Sequence, residues 1–170
     1  MIWMMMEILN KIADTAIRQV PFELKYIDAN IPAGHTFVGV ADLDVDGKSE
    51  VLVYFGGQQG YLSWYASPGF QKNIIAHGNY HPERPCAVDI DNDGDLDLFV
   101  TKGEERVAVW LENPLPDGQL RENWKEHVIG NVGIRVKDYA TGDFDMDGKM
   151  DLVFAGYEGA VIFFQNNPQL

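Results

Sequence analysis

The chain is poor in cysteine, in positive charge and in long apolar runs. Its single cysteine, Cys86, leaves no disulfide to form within the chain. Lys and Arg total 13 against 26 Asp and Glu, for a formal net charge of −13. Such an acidic chain disfavours nucleic acid and anionic membranes, which are polyanions themselves. No apolar run reaches the roughly 18 residues of a membrane-spanning helix, so membrane insertion is not expected. The apolar start, Met1 to Met6, is short, has no basic residue before it and does not read as a secretory leader. No G-x-S-x-G, H-E-x-x-H or phosphate-cradling glycine loop occurs, and no catalytic residue is assigned.

What the chain has is acid in clusters and enough apolar residues, 46%, for a real core. The clusters are Asp42, Asp44, Asp46 and Glu50; Asp89, Asp91, Asp93, Asp95 and Asp97; and Asp143, Asp145, Asp147 and Asp151. They hold 13 of the 26 acids, so three divalent cations would lower the formal charge from −13 to −7. The three stretches read DLDVDGKSE, DIDNDGDLD and DFDMDGKMD, each followed by apolar residues. The first loop Asp recurs after 47 and then 54 residues. An aromatic follows it by 22, 21 and 21 residues (Trp64, Trp110, Phe164), and a proline lies four further on (Pro68, Pro114, Pro168). The longer second interval matches an insertion at Leu115 to Glu122, which reads as a surface loop.

Each repeat carries about four short runs rich in Val, Ile and aromatics. In the first they are Glu23 to Asp28, Thr36 to Ala41, Glu50 to Phe55 and Tyr61 to Tyr65. The second has Gln71 to Ala76, Cys86 to Asp89, Leu96 to Thr101 and Val107 to Glu112; the third has Lys125 to Ile129, Lys137 to Gly142, Asp151 to Ala155 and Ala160 to Gln165. Four strands at a period of about 45 residues describe a β-propeller blade. The expectation is an all-β fold with blades at about 22–68, 69–114 and 115–168. A β-sandwich would not require one loop to recur in register. Residues 1–21 stand outside the repeats. Ile8, Ile12 and Ala16, with Leu9, Ala13 and Ile17, fall at helical spacing, so a short helix is expected before Pro21.

The loops suit a hard cation. Calcium takes six to eight oxygens in flexible geometry. Carboxylates at positions 1, 3, 5 and 9 and a position-7 backbone carbonyl give the ligand set. It comprises Asp42, Asp44, Asp46, Lys48 and Glu50; Asp89, Asp91, Asp93, Asp95 and Asp97; and Asp143, Asp145, Asp147, Lys149 and Asp151. An EF-hand is excluded, because position 12 is Val53, Val100 or Phe154 rather than Glu, and the flanks read as strands. Magnesium prefers a smaller octahedral site. The opposing reading is three acidic turns without an ion, but four carboxylates within nine residues repel each other unless a cation intervenes.

These repeats resemble the FG-GAP/VCBS repeats of integrin-α-type propellers, over roughly residues 22–168. The resemblance implies up to three structural Ca²⁺ ions and a role in binding a protein or carbohydrate ligand. It favours an extracellular or periplasmic place. Such propellers usually close with six to eight blades. Either two chains form a homodimer that completes a six-bladed ring, or the chain is a piece of a longer propeller. An alternative function is a propeller fragment of a polysaccharide-degrading enzyme of the lyase type. Other residues have blander readings: His77 and His81 as loop histidines, Cys86 as core, and Trp64, Tyr65, Trp110 and Trp124 as packing rather than sugar platforms. Arg84 and Arg135 do not recur between repeats and are candidates for something particular to this chain.

Overall fold

A computed structural model describes residues 22–31, 34–56, 60–80, 86–102, 106–115 and 122–166. Among the described residues, eleven strands form three antiparallel meanders. Sheet one orders β1 (Thr36–Ala41), β2 (Glu50–Phe55), β3 (Tyr61–Ala66) and β4 (Gln71–His77). Sheet two orders β5 (Cys86–Val88), β6 (Asp97–Lys102), β7 (Val107–Glu112) and β8 (Lys125–Asn131). Sheet three has β9 (Val136–Gly142), β10 (Asp151–Gly156) and β11 (Val161–Phe164). These are propeller-type blades, each a run of sequence neighbours joined by local turns.

The second strand of each sheet is nearly continuous in apolar residues, and in sheet two both of its faces are covered. On β6, Leu98 and Val100 face sheet one, where they meet Leu52, Tyr54, Leu62, Trp64 and Ile75. Phe99 points the other way, to Tyr139, Leu152 and Phe154 of sheet three. Its ring lies 4.7 Å from that of Tyr139 and 5.4 Å from that of Phe154. Burying one such side chain contributes about 2–3 kcal/mol. The core is therefore two apolar layers between three sheets, and sheet two takes part in both.

The sheets do not follow the repeat boundaries read from the sequence. β4 and β8 were expected to open the second and third repeats, but they complete sheets one and two. The reason is local: the turn at Ser67–Phe70, closed by Phe70 N–H to Ala66 O at 2.6 Å, returns β4 onto β3. Each sheet thus begins at the strand before its acidic loop, at Thr36, Cys86 or Val136. Glu23 to Asp28 is not a strand. The aromatic alignment also shifts by one. Leu52 pairs with Trp64, Phe99 with Trp110 and Val153 with Phe163, so Phe163, not Phe164, matches the tryptophans. The expected helix at Glu7 to Gln19 and Pro168 lie outside the described residues, as does most of the Leu115 to Glu122 insertion.

Candidate metal centre

Each acidic loop joins the first two strands of its sheet: β1 to β2, β5 to β6 and β9 to β10. The sequence forces the curl. Position 6 is Gly47, Gly94 or Gly148, with φ of 83°, 101° and 87°, a region that L side chains rarely adopt. Position 4 is left-handed too, at Val45, Asn92 and Met146. Asn tolerates this well, while β-branched Val45 is strained there.

The curl turns carboxylates inward onto backbone N–H groups. In the first loop Asp42 accepts from Asp46 N at 3.0 Å and from Gly47 N at 2.9 Å. Asp143 does the same in the third, from Asp147 N at 3.1 Å and Gly148 N at 3.0 Å. Asp89 accepts from Gly94 N at 3.2 Å. The position-5 acids cap the position-7 amide: Asp46 at 2.8 Å, Asp93 at 3.2 Å and Asp147 at 2.9 Å.

Position 9 is the anchor. Glu50, Asp97 and Asp151 are at most 1% exposed. Each accepts from the amide of the position-2 residue: Leu43 at 2.9 Å, Ile90 at 3.1 Å and Phe144 at 3.1 Å. The second oxygen of Asp97 and of Asp151 takes the amide of Asn113 or Asn166, both at 2.8 Å. In the first loop the matching amide is that of Ser67, which faces Glu50, but Oε1 is left with no partner of hydrogen-bond geometry. The extra methylene of Glu shifts the head group, so one oxygen stays orphaned.

Three of the expected ligands converge in every loop. They are Asp42, Asp44 and Glu50; Asp89, Asp91 and Asp97; and Asp143, Asp145 and Asp151, with one oxygen from each within 4.8 Å of the others. Two oxygens about 2.4 Å from a calcium ion can be at most about 4.8 Å apart, so the spacing in each triad is compatible with one shared ion. The buried orphans Glu50 Oε1 and Asp89 Oδ1 fit a cation as well. Asp46, Asp93 and Asp147 fall outside the triads. Asp46 pairs with the Lys48 ammonium at 2.5 Å and Asp147 with that of Lys149 at 3.7 Å. Lys48, Asp95 and Lys149 could serve only through their carbonyls, or in the second loop through the Asp95 side chain.

That second loop is electrostatically different. Asp95 is 5% exposed, and neither of its carboxylate oxygens has a hydrogen-bond partner. Burial, then the charges of Asp93, Asp91, Asp89 and Glu112, push its carboxyl up to about 6. Burial raises Asp97 to about 7, against the lowering effect of its two amide donors. Glu50 and Asp91 are also raised, first by burial and then by neighbouring acids. These acids resist ionisation where they stand, and a divalent cation would reverse that.

Sequence reasoning missed Asn113 and Asn166. Besides its amide, each uses its side-chain Nδ2 to reach the loop of the previous sheet: Asn113 to Leu43 O and Asn166 to Ile90 O, both at 3.0 Å. Their place near the end of each repeat, just ahead of a proline, was a visible signal without an assigned role. The aromatics and other candidates resolve mostly as packing. Trp64, Tyr65 and Trp124 are buried, and Trp110 lies under the His127 ring at 4.2 Å and 11°. Cys86 is half-buried beside Thr141, at 3.9 Å, against the second core layer. His77 is exposed at the end of β4, and Arg135 stacks on Tyr157 at 4.3 Å. His81 and Arg84 lie outside the described residues.

The FG-GAP-like repeat matches the chain twice, over residues 42–100 and 89–154. Comparison with curated proteins and with solved structures gave no match. The two overlapping matches each run from one acidic loop to the strand after the next, the interval over which loop, strands and anchor acid repeat in the structure. The chain therefore belongs to the FG-GAP-like repeat family.

Proposed function

We propose that the three triads hold Ca²⁺, that the ions are structural, and that the folded blades serve as a binding module. The observation that carries the reading is the threefold recurrence of one arrangement, with positions 1, 3 and 9 convergent and position 9 buried each time. An ion in a triad ties the turn after a sheet's first strand to the start of its second strand. Through Asn113 and Asn166 it is also linked to the neighbouring sheet. Oxygen donors alone, in loops rather than a rigid octahedral cage, favour calcium over magnesium. Thermal melting of the chain in calcium, in magnesium and in EDTA tests this: calcium should raise Tm well above either of the others. A protein partner is favoured over a carbohydrate, because the four rings considered as sugar platforms, Trp64, Tyr65, Trp110 and Trp124, are buried or covered. A glycan array against a protein pull-down separates the two, and strong glycan binding would overturn the choice.

A further inference from the structure

Sheet three is one strand short among the described residues, and the outer edge of β11 has no partner there. In sheets one and two that edge is filled by β4 and β8. Both share a pattern, an aromatic followed four and five residues later by two apolar residues: Phe70, Ile74 and Ile75, then Trp124, Val128 and Ile129. The same pattern stands at Phe22, Tyr26 and Ile27, and each copy ends shortly after on an asparagine, Asn30, Asn79 or Asn131. Phe22 and Ile27 are 92% and 41% exposed, whereas Trp124 and Ile75, at the matching positions of paired strands, are 5% and 0% exposed; Phe70 and Val128, at 40% and 69%, show that the outer strand keeps some apolar side chains in solvent.

Position in the chain says where such a strand belongs. β4 leads into β5, the first strand of the next sheet, and β8 leads into β9. Phe22 to Asn30 leads into β1, so by the same step its place in the chain is that of a fourth strand in a sheet preceding sheet one, although it pairs with no strand among the described residues. Asp28 accepts a hydrogen bond from Tyr65 OH at 2.8 Å. Tyr65 pairs with Val51, on the side of sheet one away from sheet two, where a preceding blade would sit.

We propose that Phe22 to Asp28 of one chain pairs with β11 of a second copy, and that the reciprocal exchange closes a ring of six blades. The inference rests on reading the three sheets as successive blades, not on what the loops bind. The existing ladders set the register. Tyr65 pairs with Lys72 and Leu111 with Glu126, so Phe164 pairs with Leu24. Trp64 pairs with Asn73 and Trp110 with His127, so Phe163 pairs with Lys25. The contact also covers the two outward faces. Val161 and Phe163 are 75% and 50% exposed at one end, and Val38 and Val40 are 61% and 70% exposed at the other. Phe163 occupies the position that Trp64 uses to fill the layer between sheets one and two. Closure pairs the open outer edge of β11 and leaves only the short edges that every propeller blade keeps.

The test places cysteines at the register pair, Lys25→Cys with Phe163→Cys, in the full chain with Cys86→Ala. Mild oxidation should give a covalent dimer on a non-reducing gel. An intrachain bridge, running as a monomer, overturns exchange between copies, and no bridge overturns the pairing. Sedimentation of the otherwise unchanged chain should show a dimer, and Tyr26→Pro should make it a monomer, since proline removes a ladder donor. A monomeric wild type, or a Tyr26→Pro dimer, overturns the proposal. Tyr26→Pro should still respond to calcium in melting, so a failure of the loops and a failure of the strand exchange would be seen separately.

Discussion

The second acidic loop and its two neighbours share a fold and differ in how they handle charge. Loops one and three carry a lysine at position 7 that pairs with the acid at position 5. Loop two carries Asp95 there, buried and without a hydrogen-bond partner for either oxygen. Loops one and three carry part of their countercharge in the sequence, and loop two has no lysine at that position. In the absence of metal, loop two should be the least stable of the three and should gain most from calcium.

The largest change should come from removing the shared anchor. Asp97→Ala orphans the amides of Ile90 and Asn113, and Asp151→Ala those of Phe144 and Asn166. Each should lower stability by about 2–5 kcal/mol, read by denaturant titration. Asp97→Ala should also erase the larger share of the calcium response. Asp95→Lys should make loop two like its neighbours. Melting in EDTA should show a gain of about 1–3 kcal/mol, since an unpaired buried acid is removed, and a smaller shift on adding calcium. A loss of stability in EDTA would break the comparison.

Acid should act in the same direction. Asp97 and Asp95 sit at about 7 and about 6, above the ordinary 3.8, chiefly because they are buried. The folded chain therefore binds their protons more tightly than the unfolded chain does. Without metal, stability should rise as the pH falls from 8 towards 5, and calcium should flatten or reverse that slope. Denaturant midpoints across this range, with EDTA and with calcium, check the sign.

Smaller effects separate the loops by backbone rather than charge. Val45 and Asn92 hold the same left-handed position, at φ of 58° and 64°. Val45 is 62% exposed, so Val45→Asn loses little packing and should stabilise the chain by about 1 kcal/mol. A fall in Tm would show that the exposed Val45 side chain contributes more than its strain costs.

The repeating loop was legible because a sharp curl around oxygen ligands leaves few choices of residue, so Asp, Gly and spacing survive as text. The strands were legible from their apolar runs, and all eleven observed strands overlap the expected runs to within two residues at either end, β1, β2 and β7 without any difference. What the sequence did not show was grouping. Nothing in Gln71 to Ala76 says whether it pairs forwards or backwards; the turn at Ser67–Phe70 decides it through geometry. The role of Asn113 and Asn166 was hidden for a similar reason, because their partner carbonyls are 70 and 76 residues away. Position 5 looked equivalent to positions 1 and 3 on the page, yet its side chain turns to the position-7 amide instead of joining the triad.

The most direct measurement is a calcium titration of the full chain by calorimetry, paired with melting in EDTA. Three ions per chain and a Tm that falls when they are removed are the expected result. A chain that binds no calcium and melts at the same temperature in EDTA would contradict the central claim, leaving the three loops as acidic turns.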